Sequence, residues 1–257
     1  MFFDSLGVSL YADMTVGYSL RVLKSWEWAC LSLVRSTDSA VAYIYFDDND
    51  VISLNSLIST VGAEETPSAT TLGTWIGTAN ADIGNLYGQT ANGVFDSGFT
   101  LTSELTSRRP LFIENGIIKT NNGVASMYFD GTKSFIKVNS LGVTALDSGN
   151  PFTVLSVSAN EVIAGLGTVF CTNKISSNRV LQFQDRRTVK RATFIKTLSG
   201  DYAADLSAQQ NSGNTRLLTT VMDNSKNFDS YFNATFQTSN TYLGDYANNN
   251  LVVGSQF

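Results

Sequence analysis

Carboxylates are the side chains of this chain most able to do chemistry. Asp82, Asp96, Glu104, Glu114, Asp130 and Glu161 are scattered through a weakly charged sequence. Glycoside hydrolysis needs two such groups a few ångströms apart, one as acid and one as nucleophile or base. Spacing along the chain does not say which of them meet. Asp130, directly before Gly131, reads as a turn residue, and the others read as turn-forming Asp or solvated Glu. No catalytic residue is predicted on this basis. The run Asp47-Asp48-Asn49-Asp50 clusters oxygen donors as a hard cation requires, so Asp47, Asp48 and Asp50 are candidate calcium ligands. The run lacks the glycine and distal glutamate of an EF-hand loop. It also abuts a predicted helix start, where acidic groups are favoured for another reason. No other cofactor is expected. The chain contains no histidine, which rules out a Ser-His-Asp triad and removes the usual pH switch and metal ligand.

Aromatic rings offer a second kind of chemistry. Trp26, Trp28, Trp75, Tyr87 and Tyr246 could present flat faces to a sugar ring. Trp75 and Tyr87, with Asn92 as a hydrogen-bonding neighbour, are the candidate carbohydrate-binding residues. Core packing is the competing explanation for such rings in a β-protein. A basic stretch, Arg186-Arg187, Lys190-Arg191 and Lys196, contains only Phe194 among aromatics. That is too few to stack bases, so it reads as a solvated strand face or a patch against an acidic neighbour.

The elements that must position these residues are mostly strands. Of the 257 residues 43% are hydrophobic and 15% charged, with a formal net charge of −5. A core can be buried, and the acidic balance argues against a protein held on nucleic acid by phosphate contacts. No segment is apolar enough over the required length to span a bilayer as a helix, and Met1-Phe2-Phe3-Asp4 does not open a secretory signal. Cys30 and Cys171 each sit in an apolar run and read as buried thiols.

Strands are predicted at 28–35, 40–46, 111–113, 125–129, 135–138, 152–158, 180–184, 217–222 and 228–232, from their alternation or apolar runs. Asn115-Gly116 and Asn122-Gly123 predict hairpin-type turns. One helix is predicted between Ile52 and Thr60, where Leu54, Leu57, Ile58 and Val61 share helical spacing. The stretch from Glu64 to Arg108 reads as long loops with short strands, held down by aromatics. No internal repeat or linker divides the chain, so the sequence predicts an arm over 1–15 and one domain over 16–257.

Five short blocks recur in a fixed order: Tyr18-Ser19-Leu20-Arg21, Arg35-Ser36-Thr37-Asp38, Arg109-Pro110, Asn122-Gly123 and Phe129-Asp130-Gly131. Together they resemble the arabinofuranosidase-B-like, concanavalin-A-like (laminin-G-like) sandwich domain of tailed-bacteriophage structural proteins. The family's Trp-Tyr-Asp-Gln block is degraded here. It falls on Thr74-Trp75-Ile76-Gly77 or on Leu86-Tyr87-Gly88-Gln89, and both placements put glycine where the family has aspartate. The family's final strand does not follow Leu251-Val252-Val253, which predicts an open sheet edge for the arm or a neighbouring chain to fill.

The resemblance implies an all-β, concanavalin-A-like jelly-roll β-sandwich with one short helix. It implies a non-enzymatic virion component (capsid decoration, neck, tail or fibre) that contacts other virion proteins and forms a homo-oligomer, expected to be a trimer. The alternative is a carbohydrate- or host-receptor-binding domain on the same fold, with a surface glycan as partner. Neither reading involves nucleic acid or a membrane.

Overall fold

Alternating apolar residues and tight polar turns build this chain almost entirely from antiparallel strands. The computed structural model describes residues 17–23, 26–90, 93–97, 100–103, 106–130, 136–139, 151–159, 168–173, 180–184, 191–197, 200–205, 216–241 and 250–253. The chain divides into two compact units, Met1–Asp130 and Gly131–Phe257. The predicted arm lies outside the described residues.

In the first unit the strands are β1 (Leu31–Arg35), β2 (Val41–Ile44), β3 (Ile58–Ser59), β4 (Ala81–Tyr87), β5 (Thr100–Thr102), β6 (Leu111–Glu114), β7 (Ile117–Ile118), β8 (Thr120–Asn121) and β9 (Val124–Ala125), with a helix α1 (Leu72–Ile76) between β3 and β4. The main sheet runs β5-β4-β1-β2-β3, and β6 pairs with both β4 and β7. Register places Leu31 between Ile44 and Leu86, and Leu33 between Ala42 and Ile83. All six are buried, as are Leu101, Phe112 and Ile113. Each large side chain buried this way contributes about 1.5–3 kcal/mol.

The two Asn-Gly turns form as their sequence requires. Asn115 and Gly116 have φ of 52° and 78°, and Asn122 and Gly123 have 50° and 78°. Both turns thus have two left-handed residues, which matches the twist of the flanking strands. Gly116 is also needed for space, because a Cβ there would lie 2.2 Å from the Gly77 carbonyl oxygen.

The predicted helix at 52–60 is a turn followed by β3. Its apolar spacing is helical, but local hydroxyls bind the backbone instead. The Ser53 amide donates to Ser56 Oγ at 3.0 Å, and the Asn55 amide donates to Ser53 Oγ at 3.1 Å. Ile58 and Ser59 then pair with Ile44 and Tyr43. The one α-helix among the described residues is α1. Thr71 caps it by accepting from the Thr74 amide at 3.2 Å, and Gly77, with φ of 55°, closes it.

The second unit holds β10 (Ile136–Asn139), β11 (Phe152–Ser158), β12 (Thr168–Asn173), β13 (Val180–Gln184), β14 (Arg191–Thr197), β15 (Gly200–Asp205), β16 (Arg216–Met222), β17 (Asn227–Phe232), β18 (Thr235–Thr241) and β19 (Asn250–Val253). One sheet contains the run β15-β14-β13-β12-β19-β10, and a second sheet runs β11-β16-β17-β18. Strand β15 also lies close to β17 and β18, so two layers meet within this unit. The chain is all-β and of the sandwich class that the resemblance implied.

One detail differs from expectation. β19 does not border an open edge, since it pairs with β10 on one side and β12 on the other. The two-residue turn between β17 and β18 carries Ala234 at φ of 64° after Asn233 at 46°.

Candidate functional site

The block Arg35-Ser36-Thr37-Asp38 builds a rigid corner between β1 and β2. Arg35 Nε donates to Asp38 Oδ1 at 3.0 Å and Nη2 to Oδ2 at 2.6 Å, a two-pronged pair. The hydrogen bond from Arg35 is the main cause holding the Asp38 carboxyl down to about 2. Nη1 of the same guanidinium donates to the Trp75 carbonyl, and Cζ stands 4.8 Å from the centroid of the Trp75 ring. One face of Trp75 is therefore taken by a cation, and the side chain is half-buried.

Tyr87 does not join it. Arg35 pairs with Ala81 at one end of the β1–β4 pair, whereas Leu31 pairs with Leu86 at the other. Tyr87 is 5% exposed and clusters with Ala29 and Tyr45, its ring 5.4 Å from that of Phe95. Burial is the main reason its hydroxyl is pushed above the usual range. It is a core residue, so the expected sugar platform of Trp75 and Tyr87 is not assembled. Asn92 lies outside the described residues.

Gln89, in the degraded block, has a structural role. It is 1% exposed, and its Oε1 accepts from the Leu23 amide at 2.8 Å. Nε2 donates to the carbonyls of Arg21 at 3.0 Å and Ser19 at 3.4 Å. This amide ties the Tyr18-Ser19-Leu20-Arg21 block to the end of β4, and Gly17 pairs with Gln89 through the backbone.

The acidic run at 47–50 also forms a turn. Asp47 Oδ1 accepts from the amides of Asn49 at 2.9 Å and Val51 at 3.3 Å, and Oδ2 accepts from Ser53 Oγ at 2.6 Å. Burial raises the Asp47 carboxyl, but these donors outweigh it and hold the group below its ordinary value. Asp50 takes φ of 61° and donates its amide to the Asp47 carbonyl. Among the described residues no group of three acidic or thiol side chains converges as metal ligands. Asp47, Asp48 and Asp50 are therefore not gathered into a calcium site, because the turn consumes the one carboxylate that faces inward.

Of the remaining acids, Glu114 and Asp82 each answer to a cation. Glu114 pairs with Lys119 at 2.9 Å on the surface. Asp82 is half-buried, and desolvation raises its carboxyl while the charge of Arg109 lowers it. The charge acting on it is thus a cation, not a second carboxylate. Glu104, Glu161 and the stretch 186–190 lie outside the described residues. Cys30 is a buried free thiol, and burial pushes it well above its usual range.

Two surfaces remain, and neither was singled out by sequence reasoning. In the first unit, register puts Tyr43, Ser32, Asn85 and Thr102 in one row on the face opposite Leu31 and Leu33, with Ser32 buried, next to a row of Val41, Val34 and Asp82. Asn85 Nδ2 donates to the Tyr87 hydroxyl at 3.2 Å. In the second unit, one face of the four-stranded sheet is buried through Phe152, Met222, Leu218, Thr220 and Ser230. Its other face carries Leu155, Val157, Val221, Tyr231 and Phe236. Leu155, Val157 and Phe236 are 47%, 69% and 53% exposed, and the Tyr231 and Phe236 rings meet edge-on at 5.7 Å. Alternation in Phe152–Ser158 predicted the strand. It could not name the open face, because both faces carry apolar residues.

No family model matches the chain, and no curated protein matches it. Among solved structures it is similar to the carbohydrate-binding module CBM66 from Bacillus subtilis, at 9% identity and a TM-score of 0.33, over 59% of this chain and 82% of that one.

Proposed function

We propose that this chain is a non-enzymatic binding module whose work is done by the surfaces of its sheets. The observation that carries this reading is the open face of the β11-β16-β17-β18 sheet. Aliphatic and aromatic residues there stand in solvent with Asp229 as the one formal charge on the described part of that face. A face of that composition is a contact surface. Leu155, Val157 and Val221 offer no hydrogen bonds to a polyol, which favours a protein partner. In that form the chain is a structural component of a tailed-phage particle, as its sequence blocks suggest, bound to other virion proteins. Imaging purified virions with a labelled antibody against the chain tests this. Label at a fixed place on the particle is expected, and virions that lack the chain would overturn it.

The second reading is a carbohydrate- or host-receptor-binding domain, and a different observation supports it. Asp82, Asn85 and Tyr43 are partly exposed on the sheet face opposite Leu31 and Leu33, and no described group donates a hydrogen bond to the Asp82 carboxylate. Carboxylate, amide and phenol rims are the groups that hold sugar hydroxyls in place. A glycan array reads this directly. Hits that vanish with Asp82→Asn would move the conclusion to this reading, and an array without hits would end it.

A further inference from the structure

We infer that β11 is a self-docking edge: two copies of this chain pair β11 with β11 antiparallel about a two-fold axis, joining two four-stranded sheets into one of eight strands. The inference rests on the protein-contact reading and names its first partner. Among the described residues strand β11 pairs on one side only, with β16, and borders its sheet. Edge strands of proteins that stay apart carry charges, prolines or bulges that block further pairing. Phe152–Ser158 contains no charged residue and no proline, and Pro151 stands just ahead of it. Its register with β16 runs from Phe152↔Met222 to Ser158↔Arg216 without a shift, so it carries no bulge. The opposite edge differs. The pairing of β18 with β17 shifts between Ser230 and Tyr231, and β18 lies near β15.

Self-pairing also satisfies the charge and shape requirements of a two-fold contact, in which a surface must complement itself. Leu155 is the midpoint of the strand, so full overlap sets it against its own copy. Thr153 then faces the second chain's Val157, Val154 faces Ser156, and Phe152 faces Ser158. No charge meets a like charge. The exposed row of Leu155 and Val157 is continued across the joint by its own repeat, which gives one apolar stripe in place of two edges. A second copy fits this edge because the strand is uncharged and matches itself along its whole length.

Light scattering during size exclusion tests it, over a concentration series of the 27.8 kDa chain. The mass of two chains is expected, with dissociation on dilution. Val157→Lys places like charges near the joint and should weaken the dimer about tenfold or more. Val157 is 69% exposed, so the variant should keep its fold, which circular dichroism verifies. Leu155→Cys should lock the dimer as a disulfide under mild oxidation, whereas Thr153→Cys and the unmodified chain should not. In the paired strands the two copies of residue 153 stand about 13 Å apart, too far to bridge. A chain that is monomeric at every concentration overturns the inference. So does a dimer that Val157→Lys leaves intact and Leu155→Cys does not lock. The protein-contact reading fails on another result, virions without the chain, so the two failures are distinct.

Discussion

Replacing Ala234 with glycine is expected to stabilise the second unit. Asn233 and Ala234 form the two-residue turn between β17 and β18, with φ of 46° and 64°. The turn is anchored, since the Asn233 amide donates to the Leu217 carbonyl at 2.9 Å and its Oδ1 accepts from the Leu217 amide at 3.0 Å. The chain therefore cannot relax Ala234 without breaking contacts to β16. An L-residue with a Cβ costs about 1–2 kcal/mol in this region. Glycine removes that cost but gives back about 0.4–1 kcal/mol through a more flexible unfolded chain. The net gain is about 0.5–1 kcal/mol, which raises a melting midpoint by about 2 °C and a urea midpoint by about 0.4 M for a chain of this size. Urea titration followed by far-ultraviolet circular dichroism measures it. The three tryptophans, Trp26, Trp28 and Trp75, all lie in the first unit, so their fluorescence serves as an internal control. Ala234→Val should move the midpoint the other way, because a branched Cβ suits a left-handed residue less well. A lower midpoint for the glycine variant, or an unchanged one for valine, would refute the reasoning.

Two further outcomes follow from the first unit. Gln89→Leu removes the acceptor at Leu23 and the donor to Arg21 and Ser19 in a site that is 1% exposed, and should cost about 2–4 kcal/mol in tryptophan-monitored unfolding; a cost under about 1 kcal/mol would show that the amide is not the tether. Asp38 has a folded-state value of about 2, below its unfolded value near 3.8, so its contribution to stability is present above about pH 4 and is lost as pH falls toward 2. Carbon-detected titration of the Asp38 carboxyl should give a midpoint near 2, and Arg35→Ala should raise it, with the Ala40 amide still holding it partly down; a midpoint near 4 in the unmodified chain would contradict the two-pronged pair.

The strands were legible where one physical signal ruled. Asn115-Gly116 and Asn122-Gly123 could only be tight turns, and the hairpin of β16 and β17 announced itself by apolar runs around Asp223-Asn224-Ser225-Lys226. The helix was misplaced because Leu54, Leu57 and Ile58 have helical spacing, while Ser53 and Ser56 spend their hydroxyls on the backbone and Ile58 finds a strand partner. Strand β4 was hidden within 64–108 because a shift at Ser32/Leu33 breaks its alternation around Gly84, and both of its faces are covered. The candidate sites fared worse, for a general reason. Trp75, Tyr87 and Asp47 are residue types that bind ligands and also types that finish a fold. Only burial and partners separate the two uses, and these depend on residues distant in sequence. The Arg35–Asp38 block and Gln89 were visible as family pattern, and their work proves to be architectural.

The interior place of β19 has a consequence for how the protein is made. Its sheet cannot close until residues 250–253 have left the ribosome, because β10 and β12 both pair with this late strand. A chain cut short by premature termination or proteolysis before that point would hold two unmatched strand edges where an intact chain has a closed ladder. Such fragments would be recognised as unfinished by proteases and chaperones, so translation through β19 acts as a built-in check on which copies persist.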